Sequence, residues 1–247
     1  MTAHNACAII PAAGLSTRMG STTAGTARKQ LLEFRGAPLL VHTLRKFDRC
    51  PGIGAILVPV RPEDRERVAE FIRAASFRCP VRVLEGGESR QQSVWNALQL
   101  VDPGTELVAV HDAVRPFVTP ELITRALEGA RRHGAVILGV PAVDTLKQVA
   151  RSGNDNHRIE STVPRERIVL AQTPQVFRYE LLRRAFAHAQ ADGFYGTDES
   201  ALVEHLGHEV FVVQGSTRNW KITSPADLAL AEVCFGLEEL EAEDAHP

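Results

Sequence analysis

A stretch of small residues near the start of the chain has the composition of a phosphate-binding loop. Residues 11–20 read PAAGLSTRMG, and a polar segment, 21–27, separates them from Lys29. Backbone N–H groups of small residues ahead of a helix can cradle phosphate, and Arg18 with Lys29 would add positive charge over it. The spacing matches neither a Walker A loop nor a dinucleotide-binding fingerprint. On these residues alone, a plain strand-to-helix turn with two surface cations stays open.

A second candidate group is VHDAVRP, residues 110–116, at the end of an apolar run. Asp112 at such a place can hold Mg²⁺ through one carboxylate oxygen while substrate phosphates complete the octahedron. The alternative is an aspartate that Arg115 merely neutralises. His111 is expected to be a packed or hydrogen-bonded neighbour, because phosphoryl transfer by positioning needs little proton transfer from the protein.

Polar residues after another apolar run could contact a nucleotide. Gln92 and Ser93 follow Gly86 and Gly87 closely, and either side chain could hydrogen-bond a ribose or a base. The glycines follow a predicted strand, and ligands bind beyond the carboxyl ends of such strands. We therefore count this segment among the candidate binding loops.

Lysine is rare in this chain, and its positions are therefore informative. Four of the 28 basic residues are lysines, namely Lys29, Lys46, Lys147 and Lys221. A compact ammonium differs physically from the planar guanidinium that dominates the rest of the surface. Lys221 precedes a helix start and is either a ligand or a surface charge on an edge strand. Lys46 is interpreted as an ordinary surface residue.

The elements that must position these residues follow from the apolar pattern. Short, almost continuously apolar runs alternate with helical patterns, as strands buried on both faces require. The predicted strands are 7–12, 55–60, 81–85, 107–111, 135–140, 168–171 and 209–213, and the predicted helices include 63–77 and 121–133. This order predicts an α/β fold with a doubly wound, mostly parallel, Rossmann-like sheet. Ligands bind beyond the carboxyl ends of such strands, which is where Gly14, Gly87 and Asp112 fall.

Two helix starts can be predicted from their capping residues. Thr119-Pro120 and Ser224-Pro225 each have the order of an N-cap followed by a proline at the first helical position. Asp227 stands three residues after the second cap, as in a capping box.

One segment breaks the alternation of strands and helices. Residues 145–150 and 157–163 alternate in character and are joined by the turn-rich segment 152–156. This pattern predicts a β-hairpin that projects from the domain as an arm of about 143–165. Because an isolated hairpin is marginal in water, we expect it to pack on a partner, most simply a second copy of the chain.

Composition excludes several classes of protein. The 247 residues are 44% hydrophobic and 23% charged, and the formal net charge of -2 creates no field that would attract nucleic acid or an anionic membrane. The four cysteines lack the spacing of a zinc cluster or disulfide framework, and no stretch approaches the roughly 18 apolar residues of a membrane span.

We expect one domain over 1–236, an acidic tail over 237–247 and a cytoplasmic location.

Eight segments, in their order and spacing, resemble one family. They are PAAGLSTRMG, RKQLLEFRGAPLLVHTL, GGESRQQSV, VHDAVRPFVTPELI, VPAVDTLK, LAQTPQVF, TDESALVEHLG and WKITSPADLALAE. The resemblance covers residues 8–232 and is to the 2-C-methyl-D-erythritol 4-phosphate cytidylyltransferases, of the sugar-phosphate nucleotidyltransferase superfamily. Many sugar nucleotidyltransferases share the opening loop, whereas the ordered set is specific.

The resemblance implies a reaction and a set of site residues. CMP would pass from CTP to 2-C-methyl-D-erythritol 4-phosphate in non-mevalonate isoprenoid synthesis, with release of pyrophosphate. Arg18 and Lys29 would stabilise charge on the α-phosphorus, and Asp112 would hold Mg²⁺. The resemblance also implies three sets of substrate contacts. Ala12, Ala13 and Gly14 would contact the CTP phosphates, and Gly87, Glu88 and Ser93 would contact cytosine and ribose. Methylerythritol phosphate would be positioned by Arg115, Thr145, Arg165, Thr173 and Lys221. The hairpin arm would clasp a second subunit, so that Arg165 serves the partner's active site.

The sequence departs from the family pattern at two places. The loop between Arg18 and Lys29 is longer than the usual form, with 21–27 as the extra length. Arg218 stands where some relatives carry aspartate, which leaves Asp112 as the main protein anchor for a metal.

Two other functions stay open at the level of sequence. Ribitol-5-phosphate cytidylyltransferase shares the fold and the loop, although VPAVDTLKQV and Pro11-Ala12-Ala13 favour methylerythritol phosphate. A non-catalytic nucleotide-binding module is the other alternative. The combination of Arg18, Lys29, Asp112 and Lys221 argues against it, because a binding module needs no charges aimed at a transition state.

Overall fold

The computed structural model describes residues 5–14, 28–150 and 157–244, with side chains described up to residue 236. Within these ranges the strands are β1 (Ala6–Ile9), β2 (Glu33–Phe34), β3 (Ala37–Pro38), β4 (Ile53–Val60), β5 (Val81–Glu85), β6 (Leu107–Val110), β7 (Ala135–Pro141), β8 (Leu146–Val149), β9 (Ile159–Val163), β10 (Val169–Arg178) and β11 (Phe211–Gln214). The α-helices are α1 (Leu39–Asp48), α2 (Arg65–Ala75), α3 (Arg90–Leu98), α4 (Pro120–His133), α5 (Tyr179–Ala191), α6 (Glu199–His205) and α7 (Pro225–Asp244).

The central sheet has the predicted doubly wound, mostly parallel arrangement. Its strand order is β11-β7-β10-β6-β1-β4-β5, and only β10 runs antiparallel to its neighbours among the described strands. Residues of β1 alternate between two cores, because Ala6 and Ala8 pack with α1, α2 and α4, whereas Cys7 and Ile9 pack with α3, α5 and α6. Burial on both faces explains why these strands are continuously apolar.

The predicted strand 168–171 was too short. Strand β10 continues to Arg178, and its register against β7 shifts between Gln172 and Gln175. The polar side chains of this stretch ended the apolar run in the sequence, yet Gln172 and Gln175 are buried and hydrogen-bonded, to the Ser216 carbonyl at 2.8 Å and the Asp198 carboxylate at 2.7 Å. Hydrogen bonds to distant residues offset the cost of burying these amides.

Helix α4 forms as its sequence predicts. The Thr119 hydroxyl accepts the Leu122 N–H at 3.3 Å, and Pro120 occupies the first helical position. Apolar residues at helical spacing, Leu122, Ile123, Ala126, Leu127 and Ala130, are buried against the sheet. The helix ends at Gly134, whose φ of 85° suits glycine.

Helix α7 begins with the predicted capping box. The Asp227 N–H donates to Ser224 Oγ at 3.2 Å, and the Ser224 N–H donates to the Asp227 carboxylate at 2.7 Å. The same carboxylate accepts the Thr223 N–H at 2.7 Å, which fixes the backbone just ahead of the helix. The helix continues to Asp244, past the boundary at residue 236 that the acidic composition suggested.

The predicted arm is a two-stranded antiparallel hairpin, β8 and β9, paired from Leu146 with Val163 to Val149 with Ile159. Most of its side chains are exposed, including the apolar Val149 and Ile159. The turn at 152–156 lies outside the described residues. Among the described helices, none combines the length and apolarity needed to cross a bilayer.

Candidate active site

One cavity gathers most of the predicted site residues. It has a volume of about 360 Å³ and lies at the carboxyl ends of β1, β5 and β6. The predicted residues that line it are Ala12, Ala13, Gly14, Lys29, Gly87, Glu88, Ser93, Asp112 and Lys221. These residues therefore meet at the carboxyl edge of the sheet, where folds of this kind bind their ligands. Arg18, the other predicted catalytic cation, lies outside the described residues.

The loop after β1 is held in place by a buried glutamine. The Gln30 side-chain amide donates to the Ala12 carbonyl at 2.6 Å and lies 3.4 Å from the Gly14 carbonyl oxygen. The Ala12 N–H donates to the Pro59 carbonyl at 2.8 Å, which ties the loop to β4. Sequence reasoning missed Gln30, although it stands directly after Lys29 in the quoted motif. Its amide fixes the backbone around which the cavity forms.

The loop after β5 approaches the first loop closely, and this approach requires glycine. A Cβ at Gly86 would lie 2.8 Å from the Ala13 Cβ and 2.9 Å from Ser93 Oγ. Ser93 is buried; its hydroxyl accepts the Gly87 N–H at 3.0 Å and donates to the Ser89 carbonyl at 2.8 Å. Ser93 therefore shapes the loop backbone in addition to lining the cavity.

The Asp112 carboxylate lies among three cations. Lys221 Nζ is 2.9 Å from Oδ2, Arg115 Nε is 3.4 Å from Oδ2, and Arg90 Nε is 3.5 Å from Oδ1. Burial by itself would raise the pKa of Asp112, but the charges of Arg90, Lys221 and Arg115 outweigh it and hold the pKa well below its ordinary value. Asp112 is therefore ionised, and Arg115 is one of several partners rather than its sole neutraliser.

A hydrogen-bonded chain fixes the backbone behind Asp112. The Asp112 N–H donates to Thr173 Oγ1 at 3.1 Å, and this hydroxyl lies 3.0 Å from His111 Nδ1. His111 Nε2 lies 3.1 Å from the Arg115 carbonyl, which can only accept, so Nε2 carries the proton and Nδ1 accepts from Thr173. Burial lowers the pKa of His111 to about 4, which matches its predicted role as a packed neighbour. Thr173 lies in the irregular stretch of β10, between Gln172 and Gln175.

Lys29 and Lys221 come to the cavity from opposite ends of the chain. Lys29 is buried and its ammonium donates to the Thr223 carbonyl, which the Asp227 capping interaction holds in place. The Lys221 side chain is 40% exposed, and its ammonium contacts Asp112. The segment that carries Lys221 is attached to the loop after β6, because the Ile222 N–H donates to the Val114 carbonyl at 3.0 Å.

Two residues of the charged network were not predicted. Arg90 lines the cavity, and its Nη1 donates to Glu199 Oε1 at 2.7 Å. Glu199 is buried, at 1% exposure, at the start of α6. Glu199 belongs to the segment TDESALVEHLG, one of the eight that resemble the family. The sequence alone assigned no role to any residue of this segment. The network thus extends from Asp112 through Arg90 to a second carboxylate.

Four predicted substrate contacts do not line the cavity. Arg115 contacts the Asp112 carboxylate and Thr173 accepts the Asp112 N–H, but neither residue lines the cavity. Thr145 and Arg165 are exposed on the arm, where the Arg165 guanidinium donates to the Val143 carbonyl. Within this chain, the arm residues and the cavity form separate groups.

The arrangement suits a reaction between two phosphate-bearing substrates, because buried cations and an ionised carboxylate meet at a cradle of small residues. With the doubly wound sheet, it defines the class of nucleotidyltransferases. Comparison with known proteins narrows the class further. Residues 6–236 match the 2-C-methyl-D-erythritol 4-phosphate cytidylyltransferase family, and the chain belongs to that family.

Individual relatives cover almost the whole chain. The 2-C-methyl-D-erythritol 4-phosphate cytidylyltransferases of Solibacter usitatus and Acidobacterium capsulatum are each 54% identical to it, over 91% and 90% of this chain and 93% and 94% of theirs. The crystal structure of the Thermus thermophilus cytidylyltransferase superposes with a TM-score of 0.73 at 35% identity, covering 92% of this chain and 96% of that one. The 4-diphosphocytidyl-2C-methyl-D-erythritol synthase of Anaerococcus prevotii gives 0.78 at 29% identity, over 94% and 98%.

Proposed function

We propose that this protein transfers CMP from CTP to 2-C-methyl-D-erythritol 4-phosphate, giving 4-diphosphocytidyl-2-C-methyl-D-erythritol and pyrophosphate in non-mevalonate isoprenoid synthesis. The observation that carries the proposal is the cavity in which Lys29, Lys221 and Asp112 meet the small-residue loop, in a chain of this family. These are the groups needed to bring two polyanions together.

In the proposed reaction, a phosphate oxygen of methylerythritol phosphate attacks the α-phosphorus of CTP. A new P–O bond forms while the bond to the pyrophosphate leaving group breaks, in line with the attack. The attacking oxygen is already ionised, so the step needs neither a general base nor a covalent intermediate. The protein contributes by positioning the substrates and by offsetting their mutual repulsion.

Lys29 and Arg18 are the proposed catalytic residues. Lys29 is held by the Thr223 carbonyl and lines the cavity, so its ammonium is pre-positioned for charge that develops on the α-phosphate. A fixed, buried cation of this kind is more effective than a mobile one, because it costs no reorganisation during the reaction. The role of Arg18 rests on the family pattern alone.

The donor set fits a divalent cation, and we propose Mg²⁺. Asp112 offers an ionised oxygen ligand in the cavity, and Mg²⁺ commonly takes one protein carboxylate plus substrate phosphates and water. When bound, the ion would neutralise phosphate charge and help to align the triphosphate. Because Lys221, Arg90 and Arg115 surround the same carboxylate, they would balance its charge when the ion is absent.

The remaining contacts are assigned by place in the cavity and by the family pattern. The backbone of Ala12, Ala13 and Gly14 would hold the CTP phosphates, and Gly87, Glu88 and Ser93 would surround cytosine and ribose. Arg115, Thr145, Thr173 and Lys221 would position methylerythritol phosphate. Lys221 is the best supported of these four, since it lines the cavity beside Asp112.

We also propose a homodimer formed through the hairpin arm, with Arg165 serving the partner's active site. Support comes from the arm itself, whose Val143, Val149 and Ile159 side chains are 73%, 43% and 56% exposed. A two-stranded hairpin with exposed apolar residues gains stability when a second surface covers it. Thr145 lies on the same arm, so it would reach the partner's active site together with Arg165.

We also propose a domain organisation and a cellular compartment for this protein. The core clusters and family match are consistent with one domain over 1–236 followed by an acidic segment. A reducing, cytoplasmic compartment is supported by the thiols of Cys7, Cys50, Cys79 and Cys234, which carry no disulfide. Neither nucleic acid nor a membrane is proposed as a partner.

Pyrophosphate release from CTP tests the function. We expect turnover with methylerythritol phosphate and at least about tenfold lower kcat/KM with ribitol 5-phosphate, because the site should discriminate between hydroxyl patterns. Turnover with ribitol phosphate alone would replace the proposed substrate. CTP binding without turnover of either acceptor would identify a nucleotide-binding module instead.

A further inference from the structure

A group of metal-ligating side chains lies away from the cavity, between α5 and α6. His188, Asp192 and His205 form this group, in which one ligand atom from each residue lies within 4.8 Å of the others. His188 Nε2 is 3.4 Å and His205 Nε2 is 2.9 Å from the same Asp192 Oδ2. In the part of the chain with described side chains, this is the one such group of three.

The separations are close to those of a coordination sphere. Two ligands at about 2.0–2.1 Å from a tetrahedral Zn²⁺ are about 3.3 Å apart. The two measured separations bracket this value, at 3.4 and 2.9 Å. The ligand atoms of the two histidines lie within 4.8 Å of each other, so side-chain rotations can bring all three atoms around one ion. The fourth position faces solvent, where water can bind.

Helix geometry and a stacked ring hold the ligands in place. His188 and Asp192 stand four positions apart at the end of α5, so they share one helix face. The His205 ring from α6 stacks on Phe194 with centroids 4.0 Å apart and an interplanar angle of 5°. Phe194 in turn packs against the core, which limits rotation of the His205 ring. The ligand set is therefore partly preorganised before a metal arrives.

We propose that His188, Asp192 and His205 bind a Zn²⁺ ion that bridges α5 and α6. Two imidazoles and one carboxylate form a donor set that suits a borderline transition metal and suits Mg²⁺ poorly. The site is independent of the Mg²⁺ proposed at Asp112 and of the cytidylyl transfer.

The bridge lies at the base of a loop that contacts helix α3 beside the cavity. Between Asp192 and α6, the Gly196 N–H donates to Gln91 Oε1 at 3.1 Å, and the Gln91 side-chain amide donates to the Phe194 carbonyl at 3.2 Å. Gln91 stands at the start of α3, next to the cavity residues Ser89 and Arg90. A metal that fixes Asp192 and His205 should therefore also reduce opening of this loop.

The test is titration of tag-free protein with ZnCl₂ by calorimetry, in millimolar Mg²⁺ to compete with Zn²⁺ for carboxylates such as Asp112. We expect one Zn²⁺ per chain and a Zn²⁺-dependent rise in Tm. His188→Ala and Asp192→Asn should each weaken Zn²⁺ binding by more than about tenfold, since even residues that only support a ligand contribute that much. Both side chains are more than 40% exposed, so these variants should keep the metal-free Tm of the wild type.

His157→Ala is the matched control, because His157 is an exposed histidine on the arm. It should bind Zn²⁺ like the wild type. Amide exchange in residues 193–198 should slow on Zn²⁺ addition in the wild type and the control but not in His188→Ala. The proposal is overturned if Zn²⁺ does not bind, if His188→Ala binds as tightly as the wild type, or if His157→Ala loses the site.

Discussion

The cavity and the hairpin arm are built on opposite principles. The buried carboxylate of Asp112 contacts charged side chains that come from several elements of the same chain, so the fold of that chain fixes their relative positions. On the arm, β8 and β9 pair only with each other among the described strands, and most side chains face solvent. The cavity is organised within one chain, whereas the arm exposes apolar residues that the proposed second subunit would cover.

The largest expected effect is at Lys29. Lys29→Ala should lower kcat by roughly 10²-fold to 10³-fold, by analogy with the loss of one donor to a developing oxyanion. Lys29→Arg should also impair turnover, because a planar guanidinium differs in size and shape from the buried ammonium that donates to the Thr223 carbonyl. Steady-state kinetics of pyrophosphate release would measure both variants.

Lys46→Arg is the control for the lysine series and should leave kcat and KM unchanged. Lys46 is in α1, outside the residues that line the cavity. If Lys29→Ala changed only KM, Lys29 would contribute to ground-state binding rather than to transition-state stabilisation.

Acid should lower the stability of the protein through His111, the buried neighbour of Asp112. Because burial lowers the pKa of His111 to about 4, the unfolded chain binds this proton between pH 6.5 and 4 while the folded chain does not. The free energy of unfolding should therefore fall as the pH drops through this window, by on the order of 3 kcal/mol from this residue. Urea unfolding of the wild type and of His111→Gln at pH 7 and pH 4.5 measures the contribution. An equal pH dependence in the two proteins would contradict it.

Glu199→Gln tests the extension of the network. The substitution keeps the shape of a buried side chain but weakens its hydrogen bond with Arg90, which should cost about 1.5–3 kcal/mol of stability. We also expect a modest rise in the KM for CTP, because Arg90 loses an anchor and lines the cavity. Thermal unfolding and kinetics measure the two effects. Arg183→Ala, which removes an exposed ion pair with Glu180, should change neither.

The smallest expected signal is the activity that returns when two inactive variants are mixed. It shows whether Arg165 acts on its own active site or on that of a partner. Arg165→Ala and Lys29→Ala proteins should each be nearly inactive alone. After subunit exchange, the mixed dimer has one intact site if Arg165 acts on its partner, so random mixing should restore about a quarter of wild-type activity. If Arg165 acts within its own chain, the mixed dimer should have no intact site and mixing should restore nothing.

Much of this structure could be predicted because it depends on local patterns. The capping box of Ser224 and Asp227, the N-cap Thr119 and the hairpin strands follow from residue types at short spacing. The same reasoning missed most of β10, because Gln172 and Gln175 resemble loop residues until their distant partners are known. Polar residues in a strand are favourable only where the fold supplies those partners.

The sequence by itself determined which chemistry was available: a small-residue loop, one carboxylate after an apolar strand and a few lysines among many arginines. The tertiary structure decided which of these groups meet. Arg90 and Glu199 are 109 positions apart, and Lys221 reaches Asp112 from the far end of the chain. The physical reason is that local pattern specifies each strand and helix, whereas strand order and crossover connections bring their ends together. The charge balance around Asp112 therefore exists only in the folded chain.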